Sequence, residues 1–155
     1  MKRILSLLLI LAISITALAS CGLISIFGEV EDEGEAWVVV EAADGSYEVY
    51  KAALKDVENK KEGAKGVLLY LRDREENPLH LVMDESSFVT EIGSIKQDVS
   101  SGAYVMIYTS VKADEMPGMP TVEYDGNTLY SSNFGITGMT VKADTVILFR
   151  LEVFA

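Results

Sequence analysis

The stretch Thr145-Val146-Ile147-Leu148-Phe149-Arg150-Leu151 decides the fold. It is an apolar run with a single charge, the pattern of a strand buried on both faces at the centre of a sheet. Working outward, Thr128 and Tyr130 face residues 121–124 across Asp125-Gly126-Asn127, a hairpin turn signal. Gly102 precedes a strong strand over residues 103–110, and residues 88–92 form a short element before a Gly93-Ser94 turn. Leu79, Leu81 and Met83 alternate with His80, Val82 and Asp84 as a further strand. Near the start, Trp37-Val38-Val39-Val40-Glu41 and the alternating residues 47–51 flank Asp44-Gly45 as a first hairpin. One helix stands out: Ala64, Val67, Leu68 and Leu71 recur at helical spacing, Leu69 and Tyr70 widen the apolar face, Arg72 and Arg74 suit its C-terminal end, and Asn77-Pro78 stops it. One early helix among many strands predicts an α+β domain with its sheet packed on that helix.

Charge narrows the function classes. The 155 residues include 13 Lys or Arg against 24 Asp or Glu, a net charge of -11. A nucleic-acid partner is excluded, because such binders need a basic face to displace condensed counterions. A single Cys excludes a disulfide framework and a Cys-rich zinc site.

That Cys has a context of its own. Lys2 and Arg3 precede residues 4–19, in which 13 of 16 positions are apolar, and the run ends in Leu18-Ala19-Ser20-Cys21. The run is shorter than the roughly 18–20 apolar residues that span a bilayer. Basic start, apolar run and small residues before the only Cys match the bacterial lipoprotein signal, the lipobox. The resemblance implies a signal peptide over residues 1–20, cleavage before Cys21, and a diacylglyceryl anchor on its sulfur. Two acyl chains meet the requirement for stable anchoring, since one gives only marginal attachment. The expected location is the extracytoplasmic face of a bacterial cell membrane. Residues 21–35 carry Glu29, Glu31, Asp32, Glu33 and Glu35 with Gly28 and Gly34, and they read as an acidic tether with a reach of roughly 20 Å. The domain is expected over residues 36–155.

Chemistry is sparse. A hydrolytic triad needs a base, and the only His, His80, lies within an expected strand, where it reads as a satisfied or half-exposed strand residue. No nucleophile elbow, phosphate-cradling loop or metalloprotease helix is present. Carboxylate pairs are unavoidable by chance among so many acids and carry no information. The expectation is a protein that is not an enzyme, with no catalytic residue, metal ligand or cofactor. The loop Met116-Pro117-Gly118-Met119-Pro120 is read as folding its Met side chains onto the core edge, with an apolar-ligand or soft-metal role as the alternative.

Four segments, taken in order, resemble a known family: residues 88–95, Gly102-Ala103-Tyr104-Val105-Met106-Ile107, Phe134-Gly135-Ile136, and residues 141–147. Together with the helix at 64–71 they are similar to the transcobalamin-like C-terminal domain, which bacteria carry in many surface proteins and lipoproteins. The resemblance implies a β-grasp-like sheet packed on one main helix and a soluble ligand. In the animal carriers this domain packs over one face of cobalamin. Carried over by position, the ligand-facing residues would be Ser86, Ser87 and Phe88, then Tyr104, then Asn133 and Phe134. Aromatic and small polar residues on loops at one sheet end suit a flat amphipathic ligand. The sequence departs from the family pattern at Ser86-Ser87, Ala103-Tyr104 and Ala143-Asp144, and it lacks the helical barrel that completes the carrier cage.

The resulting expectation is a lipid-anchored domain that captures a small ligand, with cobalamin or another corrinoid as the candidate, for a membrane transporter. The alternative is a cell-surface module that docks a protein or polymer and has no small-molecule ligand.

Overall fold

A computed structural model describes residues 28–154. The expected signal peptide, Cys21 and the first part of the expected tether lie outside the described residues. The chain runs β1 (Glu35–Glu41), β2 (Tyr47–Ala53), α1 (Ala64–Asp73), β3 (Leu81–Met83), β4 (Val89–Ile92), β5 (Ile95–Lys96), β6 (Ala103–Thr109), β7 (Thr121–Tyr124), β8 (Asn127–Ser131) and β9 (Val146–Val153). Among the described residues the fold is α+β, with one α-helix and two sheets.

The larger sheet has six strands in the order β2-β1-β9-β6-β8-β7, and β3-β4-β5 form a separate small sheet. Strand β9, which contains the apolar run Val146 to Leu151, sits between β1 and β6 with Ile147, Leu148 and Phe149 fully buried. It pairs in parallel with β1 and antiparallel with β6. Side chains alternate between two faces. One face carries Val38, Val40, Ala52, Ile147 and Phe149, which pack with Val67, Leu68 and Leu71 of α1 and with Val89, Ile92 and Ile95 of the small sheet. The other carries Val39, Leu148, Tyr108 and Leu129 in a second cluster, joined by Trp37, Met106, Val122 and Tyr124.

Helix α1 follows from its spacing: Val67, Leu68 and Leu71 are fully buried, while Arg72 and Asp73 face water. Its N-terminus is set by Gly63, whose φ of 56° favours glycine, and a Cβ there would lie 2.3 Å from the Met139 carbonyl oxygen. At the other end Arg74 leaves the helix and donates to the carbonyls of Lys51 and Asn77, tying helix exit to hairpin.

The sequence reading differs from the structure in three places. His80 lies just before β3, not within a strand, and its side chain is exposed. The short strands divide off into a second sheet, because β3 to β5 find partners only among themselves. The segment from Gly28 to Gly34, read as part of a tether, is docked: Val30 is buried in the main core and bridges Val141 in parallel. Its backbone is satisfied by Lys60 O on one side, and Glu31 N–H donates to Val141 O on the other. Val30, the one apolar residue from Gly28 to Gly34, supplies the docking contact between Glu29 and Glu31, while Asp32 stays in water and pairs with Lys60 at 2.8 Å.

Candidate functional site

A cleft of about 370 Å³ opens along the N-terminal half of β6. Its floor is Tyr104 to Ile107, one wall is the turn entering β4, another is the loop after β8, and Phe154 closes the end beyond β9.

Each wall has a local cause. In the first, the Asp84 carboxylate accepts the backbone N–H groups of Ser86 and Phe88, both at 2.9 Å, and this Asx-type turn places Ser87 at φ 66°. Phe88 follows this turn and is 67% exposed at the mouth of the cleft. In the second, Ser132 Oγ donates to Phe134 O at 2.8 Å and accepts from Phe134 N–H at 3.2 Å, which turns the chain and sets Phe134 out at 39% exposure. Behind that loop Asn133 N–H donates to Asp114 O, and the Asp114 carboxylate accepts from Thr140 N–H at 2.9 Å. Asp114 is 5% exposed, and burial pushes its carboxyl up from the usual carboxylate range despite the Thr140 bond and the nearby Lys142. At the third, Phe154 N–H donates to Gly102 O, bringing the Phe154 ring to 6.1 Å from that of Tyr104. Gly102 has φ 72°, and a Cβ there would meet Phe154 O at 2.5 Å, so close approach and turn both need glycine.

Of the positions singled out in the sequence, Ser87, Phe88, Tyr104, Asn133 and Phe134 border this one cleft. Ser86 lies on the same turn but outside the lining, its N–H engaged by Asp84. The sequence reading did not find Gln97, Met106 or Phe154. Gln97 and Met106 carry no pattern that separates them from ordinary strand residues. Phe154 carried a faint signal, as a large aromatic residue past the end of a central strand. The lining contains no charged side chain, on a protein with a large negative charge.

Other candidates lie elsewhere. His80 Nε2 is 3.2 Å from Glu91 Oε2, and Lys96 Nζ is 2.6 Å from the other oxygen. Lys96 and His80 together hold the Glu91 carboxyl below its ordinary value. Met116 and Met119 are half-buried and do not line the cleft. Among the described residues no three His, Cys, Asp or Glu side chains gather as a metal set, and no helix there is long and apolar enough to cross a membrane.

A further charged group occupies the concave side of the large sheet. Arg150 pairs with Glu41 at 3.2 Å and lies 3.6 Å from Glu152, which accepts the Tyr108 hydroxyl. Burial first, and then Glu152, pushes the Tyr108 hydroxyl up. This network ties β1, β9 and β6 together and stands outside the cleft lining.

No family model matches the chain, and no curated protein matches it. Among solved structures, a protein of Ruminococcus gnavus ATCC 29149, provisionally named a metal binding protein, is similar at a TM-score of 0.50 and 15% identity. The match covers 79% of this chain and 100% of that one. At this identity the likeness is one of fold alone.

Proposed function

We propose that this chain is a lipid-anchored, extracytoplasmic binding domain of the transcobalamin-like type, which captures a small uncharged ligand in the β6 cleft and passes it to a membrane transporter. The observation that carries the reading is the cleft itself: about 370 Å³, walled by Phe88, Tyr104, Phe134 and Phe154, with no charge in its lining. Ligand sites are concave, mainly apolar and set with a few polar groups, and Ser87, Gln97 and Asn133 are such groups here. Exposed aromatic faces around a groove suit stacking on a flat ligand, and a corrinoid is the candidate. The β-grasp-like character expected of the family belongs to this reading, supported by the parallel pairing of the first strand, β1, with the last, β9, and by α1 across one sheet face. Cys21 carries the anchor in this account. The role is binding, with no catalytic residue. The Ruminococcus protein's name offers metal as another ligand class, and the uncharged cleft favours an organic ligand here.

The second reading, a module that docks a protein or polymer, draws on the apolar rim. Val99, Val153 and Phe154 stand exposed beside the cleft together with Phe88, and exposed apolar patches mark interaction sites.

Equilibrium dialysis of the full chain against corrinoids and other tetrapyrroles tests the first reading. Saturable one-to-one binding to a corrinoid is the expected result. Absence of binding across the panel would transfer the site to the docking module.

A further inference from the structure

The floor of the cleft is a sheet edge interrupted over a short span. In an antiparallel ladder the N–H and C=O of one residue point to the same side, and successive residues alternate. In β6 the even-numbered residues point toward β9, as the bond from Ser110 N–H to Val146 O shows. The odd-numbered residues point the other way. Ala103 exchanges both of its bonds with Asp98. Thr109 pairs with Tyr130 of β8, and Ile107 O accepts Ser132 N–H at 2.9 Å. Between these, Val105 is in a ladder with neither β8 nor β5, no loop group bonds its N–H or C=O or the N–H of Ile107 among the described residues, and both residues line the cleft.

From this we infer that the cleft recognises a carboxamide: the ligand's amide exchanges hydrogen bonds with Val105 N–H and C=O, while its flat apolar body lies among Phe88, Phe134 and Phe154. The inference rests on the small-ligand reading above and names its ligand class. A carboxamide has one acceptor oxygen and N–H donors on one planar group, the complement of what a strand residue presents. Carboxylate and ammonium lack one half of that complement, and no charge in the lining compensates either of them. An extended protein strand is disfavoured by length. The free edge runs from Ala103 to Ile107, about 13 Å at about 3.3 Å per residue, and it is closed at one end by Asp98 and at the other by Ser132. One amide fits that gap, whereas a continuing strand would collide with the chain at both ends.

The test uses the full chain labelled with ¹⁵N-valine and ¹⁵N-isoleucine, titrated with indole-3-acetamide and with indole-3-acetate, a matched pair differing in the amide alone. The Val105 resonance is assigned through Val105→Ile. Saturable shifts of the Val105 and Ile107 N–H signals with the acetamide are expected, with affinity for the acetate lower by roughly tenfold or more, the scale of one unmet buried hydrogen bond. Equal affinity for the two, or binding that leaves both N–H signals in place, overturns the inference. A third titration with dicyanocobinamide separates the two claims. Corrinoid binding that leaves Val105 unmoved overturns the amide contact and keeps corrinoid capture. Acetamide shifts at Val105 with no corrinoid binding support the amide contact and remove the corrinoid from the account.

Discussion

The rings of Tyr47 and Tyr124 meet edge to face, 4.9 Å apart, although they stand on β2 and β7, the two outer strands of a six-stranded sheet. The sheet therefore curls until its margins touch. Strand β8 keeps only the Tyr108 and Thr109 end of β6, which frees the β7–β8 hairpin to fold over Val39 and Leu148. The same divergence leaves the middle of β6, around Val105, without a partner strand on the side away from β9, and the cleft forms there. Curl and cleft have one origin.

If the Tyr pair clasps the curl, the two residues are coupled. Tyr47→Ala and Tyr124→Ala should each lower stability, and a double-mutant cycle in urea should give an interaction of about 0.5–1.5 kcal/mol, the range for aromatic pairs. Additive losses would mean that the margins touch without holding.

Val30 anchors the segment that precedes β1. It is 6% exposed and sits in the main core. Val30→Ala should cost about 1–2 kcal/mol by removal of buried methyl groups, read from the urea midpoint. An unchanged midpoint would place this segment in solvent.

Asp114 gives a pH dependence with a definite sign. Its folded-state carboxyl titrates above the ordinary value of 3.8 because it is buried. The folded protein thus keeps a proton that the unfolded chain has released, and this group's contribution to stability falls as pH rises from 3.8 through the raised value. Asp114→Asn keeps an oxygen for Thr140 N–H and removes the charge. The variant should match or exceed the parent at neutral pH and lose that part of the slope, whereas Asp114→Ala should cost about 1–3 kcal/mol by orphaning the N–H. Thermal unfolding of the three proteins across the acid range reads both effects.

Anchoring is tested at Cys21. Cys21→Ala should abolish incorporation of labelled fatty acid in a bacterial host and release the protein from membranes. Labelling that persists would break the lipoprotein reading.

The strands and helix were legible because alternation and helical spacing are local signals. Val38 and Val40 alternate with Val39 toward opposite faces, and Asp44-Gly45 and Asp125-Gly126 turn the hairpins. Pairing is not local. The small sheet pairs neighbouring strands within Leu81 to Lys96, but nothing there signals that it stays apart from the large sheet, and nothing in Val105 signals an edge left open, because the large sheet joins strands distant in sequence. Val30 escaped notice because one valine among acids makes no period. Five of the positions picked from the family resemblance stand around one cleft, whereas Gln97 and Phe154 join it only through the fold.

Calorimetric titration of a corrinoid into the full chain and into its Phe88→Ala and Phe134→Ala variants tests the central claim most directly. Phe88 is largely in water and Phe134 partly so, and neither belongs to a core cluster, so the variants should fold as the parent does. The account predicts saturable binding with a negative heat-capacity change, weakened roughly tenfold or more in each variant. Binding that is equally strong in all three proteins would contradict it.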